Sequence, residues 1–162
     1  MPTVYLGLGS NFEPGPNLQL ASRELRSRFS WQKISTVYRS TAIGFDGADF
    51  LNAVACIETE MTPQELCKEL ELIHDVAGRR RCTGKLISRT LDIDLLLYDQ
   101  LVLDAPPVRV PREDILRYSF VLRPLAEIAP DCRHPVTGRS ISDHWRKFDA
   151  SGHPLTAVNV HL

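Results

Sequence analysis

A chain of 162 residues, 43% apolar and 24% charged, is long enough to bury its own core and has the make-up of an ordinary globular domain. Its 19 basic residues nearly balance its 20 acidic ones, which argues against a protein that coats nucleic acid or an anionic membrane surface. No apolar run approaches a membrane span, "MPTVYLGLGS" has no secretory-signal pattern, and the four cysteines (Cys56, Cys67, Cys82, Cys132) lack metal-ligand spacing, as expected of reduced thiols in a cytoplasmic protein.

"TVYLGLG", Thr3 to Gly9, reads as a first strand that runs into the turn-rich "SNFEPGP". Leu18, Ala21, Leu25 and Phe29 then recur at helical spacing. "ISTVYRS", Ile34 to Ser40, alternates like a second strand, and "TAIGFDGAD" is a loop. Phe50 to Glu60 reads as a third strand. Thr62, Pro63 and Glu65 form a helix start with an N-cap, a proline at the first position and a capping-box glutamate. Leu66, Leu70, Ile73 and Ala77 supply that helix's apolar stripe, and Gly78 its stop. A basic loop, Arg79 to Ser88, leads into a strand around "LDIDLLLY". "LVLDAPPVRVP" reads as a short strand with a proline-rich connection, "SFVLRPLAEIAP" as a short helix closed by Pro130, and Ser140 to Phe148 as a last helix. His134, in "HPVTG", belongs to a turn, and Trp31 and Trp145 to the packing. There is no repeat and no linker, so residues 1–162 read as a single domain. The order β-α-β-β-α-β predicts an α+β fold: a ferredoxin-like antiparallel sheet with helices packed on it, an α/β/α sandwich.

The strand "LDIDLLLY" is apolar but for two aspartates. Alternation places Leu91, Ile93, Leu95 and Leu97 on one face and Asp92 and Asp94 on the other, about 7 Å apart. Two carboxylates that close repel one another, and a cation beside them relieves the repulsion. Oxygen-only ligands with room for water suit Mg²⁺, which commonly arrives with substrate phosphates. On spacing alone, a solvated face explains D-x-D better than a metal site does. The upstream loop shifts the balance, because Arg79, Arg80, Arg81, Lys85 and Arg89 bring cations next to the carboxylates, the combination that Mg-nucleotide chemistry uses. Two other phosphate motifs are excluded. "GRRRCTGKL" has five residues between Gly78 and Gly84 where a P-loop needs four, and "GLGSNF" lacks the third glycine of a dinucleotide fingerprint.

Over nearly its whole length the chain resembles the 6-hydroxymethyl-7,8-dihydropterin pyrophosphokinase family. The resemblance rests on "YLGLGSN", "VYRSTAIGFDGADFLNAVACIET", "GRRR", "SRTLDIDLLLYD", "VPREDILRYSFVLRPLAEIAPD" and "HPVTG". It implies transfer of the β,γ-pyrophosphoryl group of ATP to the pterin's hydroxymethyl group, with release of AMP. Asp92 and Asp94 are implied to hold two Mg²⁺ ions, and Arg79 and Arg89 to act with them in catalysis. Arg79, Arg81, Lys85 and Arg89 are implied to take the triphosphate. Phe50 and Phe120 match the aromatic walls of the pterin pocket, Asn52 the amide that reads the ring, and Thr41 and Ala42 the backbone that meets its edge. The other implied properties are a cytoplasmic protein, monomeric or weakly dimeric, that binds neither nucleic acid nor membrane.

The chain also departs from the family's pattern. "LISR" stands for the usual "WGPR", so Leu86, Ile87 and Ser88 replace an aromatic, a glycine and a proline. His74 replaces a glutamate. Arg112 replaces a histidine after "VP", and Tyr118 replaces an arginine, with Arg117 one step away; Arg112 and Arg117 are expected among the ATP contacts. Residues 79–88 are expected to form a mobile lid. A paralogue with weak, altered or no transfer activity is the alternative. An RNA-binding module would need an RNP-like aromatic string, which is absent.

Overall fold

The computed structural model describes residues 1–40, 49–78 and 91–162. In chain order its elements are β1 (Thr3–Ser10), α1 (Pro14–Arg28), β2 (Ser30–Ile34), β3 (Val37–Ser40), β4 (Phe50–Glu58), α2 (Pro63–Gly78), β5 (Asp92–Tyr98), β6 (Leu103–Ala105), β7 (Val108–Val110), α3 (Asp114–Arg117), α4 (Ser119–Ile128), α5 (Ile141–Lys147) and β8 (Thr156–Val158). The main sheet runs β5-β1-β4-β3-β8, all pairs antiparallel, with β2 also paired to β4. β6 and β7 form a separate hairpin, so the proline-rich stretch is a turn between two strands rather than a plain connection.

Alternation along the strands builds two cores. Val4, Leu6 and Leu8 of β1, with Ala53, Ala55 and Ile57 of β4, pack beneath α1 and α2 through Leu18, Leu25, Leu66 and Ile73. On the opposite face Val54 and Cys56 of β4 pack against Ile115, Leu122, Leu125 and Ile141 of α3, α4 and α5. The result is helices on both faces of an antiparallel sheet. The capping box at the start of α2 forms as the sequence predicts: the Thr62 N–H donates to Glu65 Oε2 at 2.9 Å, and the Glu65 N–H to Thr62 Oγ1 at 3.2 Å.

The sequence reading needs one correction. Leu97 does not share a face with Ile93 and Leu95. Leu6 pairs with Leu95 while the adjacent Tyr5 pairs with Leu97, so β5 holds one extra residue, Leu96, against β1. This β-bulge turns both Leu96 and Leu97 into the second core, and Tyr98 rejoins the first. Two further strands escaped the sequence pattern. Ser30–Ile34 is separated from β3 by Ser35 and Thr36, and the Ser35 hydroxyl accepts the Val54 N–H at 2.9 Å. Thr156–Val158 joins the far edge.

A single carboxylate ties the second helical layer to the sheet. Glu127 of α4 accepts the Thr36 N–H and the Thr36 hydroxyl, each at 2.9 Å, and the Tyr38 hydroxyl at 2.7 Å.

Candidate active site

The α1/α2 layer covers its sheet face, whereas α3 to α5 leave one end of theirs open. The side chains there come from three neighbouring strands. Asp92 of β5 lies opposite Gly9 of β1, which lies opposite Asn52 of β4; Asp94 likewise lies opposite Gly7, and Gly7 opposite Val54. The central strand therefore contributes no side chain to this row. Asp92 and Asn52 face each other across a glycine floor, roughly 10 Å apart at the usual strand spacing. A Cβ at Gly9 would stand 2.8 Å from Asn52 Nδ2, so any side chain there would have to displace the Asn52 amide. A Cβ at Gly7 would only touch Leu96, at 3.4 Å.

Two cavities meet at this end of the sheet. The first, about 350 Å³, is lined by Gly7, Gly9, Phe50, Asn52, Tyr118 and Phe120, together with Asp92, Asp94 and Arg112. The second, about 550 Å³, lies on the α2 side of β5; among its lining are Leu70, His74, Leu91 and Pro107. Asp92, Asp94 and Arg112 line both.

In the first cavity the Ser40 hydroxyl donates to Asn52 Oδ1 at 3.4 Å, which orients the amide. Tyr118 stacks on Phe120 with ring centroids 4.9 Å apart and planes 14° from parallel, so the aromatic wall is two rings thick. At the junction Arg112 Nη2 lies 3.7 Å from Asp94 Oδ1, and Arg112 Nε donates to Asp114 Oδ2 at 3.1 Å. Burial raises the Asp94 carboxyl above its ordinary value; Arg112 offsets part of that rise, and the carboxylates of Asp92 and Asp114 add to it.

The geometry fits a hard divalent cation. Two carboxylates share one face of a rigid strand, and one of them is penalised by burial and by its neighbours when ionised. Among the described residues no cluster of three His, Cys, Asp or Glu side chains forms a complete ligand set, so further ligands would come from water or from a phosphate-bearing substrate.

Of the residues singled out in the sequence, Asp92, Asp94, Phe50, Asn52, Phe120 and Arg112 converge on these cavities. Arg117 does not. It pairs with Glu113 at 3.6 Å on the exposed side of α3 and lines neither cavity. Thr41, Ala42, Arg79, Arg81, Lys85 and Arg89, and with them the expected lid, lie outside the described residues. Sequence reasoning passed over Ser40, Gly7, Gly9, Asp114 and the stacking of Tyr118. The glycines carried a signal, since Gly-Leu-Gly inside a strand marks a face without side chains.

Known proteins resemble this chain in sequence and in fold. The family model for 7,8-dihydro-6-hydroxymethylpterin-pyrophosphokinase matches residues 5–130. The 2-amino-4-hydroxy-6-hydroxymethyldihydropteridine pyrophosphokinase of Aquifex aeolicus is 37% identical over 145 residues, which are 88% of this chain and 90% of that protein. The protein of the same name from Haemophilus influenzae is 37% identical over 98% of this chain and 99% of its own length. Among solved structures, the HPPK-DHPS protein of Plasmodium falciparum crystallised with pteroate superposes with a TM-score of 0.71. It is 11% identical and covers 90% of this chain, which spans 44% of that longer one. That likeness is one of fold.

Proposed function

The chain belongs to the 7,8-dihydro-6-hydroxymethylpterin-pyrophosphokinase family, and on that premise we propose that it makes the pterin diphosphate of folate biosynthesis from ATP and 6-hydroxymethyl-7,8-dihydropterin. The observation that carries this reading is the meeting of two cavities at Asp92, Asp94 and Arg112. A transfer between two bound substrates needs such a junction, because the acceptor oxygen and the phosphorus must be held within near-attack distance.

The acceptor's flat ring goes into the first cavity, between Phe50 and the Phe120–Tyr118 stack, where aromatic faces suit a heterocycle. Asn52, oriented by Ser40, both donates and accepts at the ring's edge. Thr41 and Ala42, next in sequence to Ser40, meet the same edge. The nucleotide takes the second cavity, where Leu70, Leu91 and Pro107 offer an apolar surface to a base. Arg112 reaches the phosphates from the junction, and Arg79, Arg81, Lys85 and Arg89 add charge from the segment between α2 and β5. Asp92 and Asp94 hold Mg²⁺, two ions in this reading, which when bound neutralises triphosphate charge. In the step itself, the hydroxymethyl oxygen bonds to the β-phosphorus while the bond from that phosphorus to the α,β-bridging oxygen breaks. AMP leaves with the bridging oxygen, and the hydroxyl proton passes to solvent.

The strand order β5-β1-β4-β3, with crossover helices on one face, supports a ferredoxin-like description of the sheet. The remaining parts of the reading are a single domain acting in the cytoplasm, as a monomer or weak homodimer, without nucleic acid. No helix among the described residues is long and apolar enough to cross a membrane. The test is to mix the protein with Mg-ATP and hydroxymethyldihydropterin and identify the nucleotide product. AMP is expected. ADP would overturn pyrophosphoryl transfer in favour of ordinary phosphorylation, and no product at all would leave a scaffold without the activity.

A further inference from the structure

Asp92 and Asp94 stand on the outermost strand of the main sheet. The inner edge of β5 is secured by β1; among the described residues its outer edge has no partner strand. Edge strands present unpaired N–H groups, and their peptides are the least constrained in a sheet. At the residue between the two aspartates that gap is filled by a side chain. The Ile93 N–H donates to His74 Nε2 at 2.8 Å, across from α2. Because Nε2 accepts, the ring's proton sits on Nδ1, which lies 3.0 Å from Glu71 Oε1 one helical turn earlier. A carboxylate thus orients an imidazole, and the imidazole orients a peptide.

We propose that His74 is a positioning residue that holds the two carboxylates of β5 at their metal-binding spacing through the Ile93 peptide. The inference rests on reading Asp92 and Asp94 as the metal seat. The Ile93 nitrogen belongs to the peptide that joins Asp92 to Ile93, so fixing that N–H fixes the peptide plane from which the Asp92 side chain departs and on which Asp94 follows. Hydrogen bonds are directional, and a ring nitrogen locked by a second bond tolerates little rotation of that plane. The same residue attaches the last turns of α2 to β5, and between these two elements runs the segment with Arg79, Arg81, Lys85 and Arg89. Supporting groups of this kind commonly change metal affinity by about 10- to 100-fold when removed.

The test uses the full chain with His74→Ala, His74→Gln and Glu71→Ala. In the protein without nucleotide or metal, amide hydrogen exchange at Ile93 is read by NMR. With a non-hydrolysable ATP analogue, the Mg²⁺ midpoint is read by calorimetry. Expected for His74→Ala are Ile93 exchange at least about tenfold faster, a Mg²⁺ midpoint about tenfold higher, and an unchanged affinity for the pterin. His74→Gln, whose amide oxygen can accept the same N–H, restores most of both, and Glu71→Ala gives a smaller change in the same direction. Unchanged Ile93 exchange in His74→Ala overturns the proposal. So does an unchanged Mg²⁺ midpoint, or a glutamine variant as impaired as the alanine one. If His74→Ala does not fold, the glutamine and Glu71 variants decide by the same two readouts. The exchange measurement needs no turnover, so it stands even if no AMP is formed.

Discussion

The two faces of the sheet are treated differently by the same strands. Beneath α1 and α2 the central strands β1 and β4 offer aliphatic side chains in regular alternation, and they are buried there. Beneath α3 to α5 the same strands, with β5, offer Tyr5, Val54, Cys56, Leu96 and Leu97 at one end, and Gly7, Gly9, Asn52, Asp92 and Asp94 at the other. Only the first of those ends is covered. One side of a thin sheet can therefore hold the stability while part of the other is left open for chemistry, and the boundary between them falls within single strands.

Four measurements would break or sharpen that division. The largest effect is expected at Asp94. Asp94→Asn should lower AMP formation by about 10³-fold, the scale of removing one electrostatic element from a transfer site. Its effect on stability should have the opposite sign. The folded-state pKa of Asp94 is raised, chiefly by burial, so ionising it costs stability as pH rises through that value. The asparagine variant should melt no lower than wild type at neutral pH and lose its relative advantage in acid. A lower melting temperature for it at neutral pH would count against the open end being maintained at the expense of stability.

Next come the two sealed regions. Leu25 of α1 and Leu122 of α4 are both fully buried, and Leu→Ala at either should cost about 2–5 kcal/mol in chemical denaturation. Only Leu122→Ala should also weaken pterin binding, because α4 carries Phe120. Equal effects on binding would dissolve the distinction between the faces.

Gly9→Ala is expected to raise the KM for the pterin about tenfold, equivalent to ~1.4 kcal/mol, by displacing the Asn52 amide, while the KM for ATP stays within twofold. Gly7→Ala, which meets only the flexible end of Leu96, should do less. Steady-state kinetics with each substrate varied would separate them.

The smallest effect lies far from the site. His134 Nδ1 accepts the N–H groups of Val136 and Thr137 at 3.2 and 3.3 Å, and burial, then the nearby His144, lowers its pKa from 6.5. Unfolding lets the ring take up a proton that the fold excludes. Stability should hold above that value and fall as the pH drops below it. His134→Asn can accept the same bonds without titrating, so its melting temperature should fall less between pH 7 and pH 5.

Much of this was legible in the chain itself. The capping box at Thr62 and the alternation that sets Asp92 and Asp94 apart from Ile93 depend on local spacing, whereas the aromatic and amide positions at Phe50, Asn52 and Phe120 were legible only through the family resemblance. What could not be read depends on partners distant in sequence. The bulge at Leu96 is visible only against the register of β1, which is why Leu97 was assigned to the wrong core. The role of His74 requires α2 to lie along the outer edge of β5. Arg117 looked available because it is charged and close in sequence to the right residues, yet its helix turns it toward Glu113 and solvent.

Glu127 carries a consequence for how this pocket can change. Its carboxylate binds the strand that leads to Ser40, next to Asn52, to the helix that begins beside Phe120. The strand that positions the Asn52 amide and the helix that carries the aromatic wall are thereby tied to one another. A pocket framed in this way does not widen for a bulkier ring by small adjustments of its lining. Descendants of this chain that accept a different heterocycle should show altered residues at Thr36, Tyr38 or Glu127, remote from anything the ligand touches.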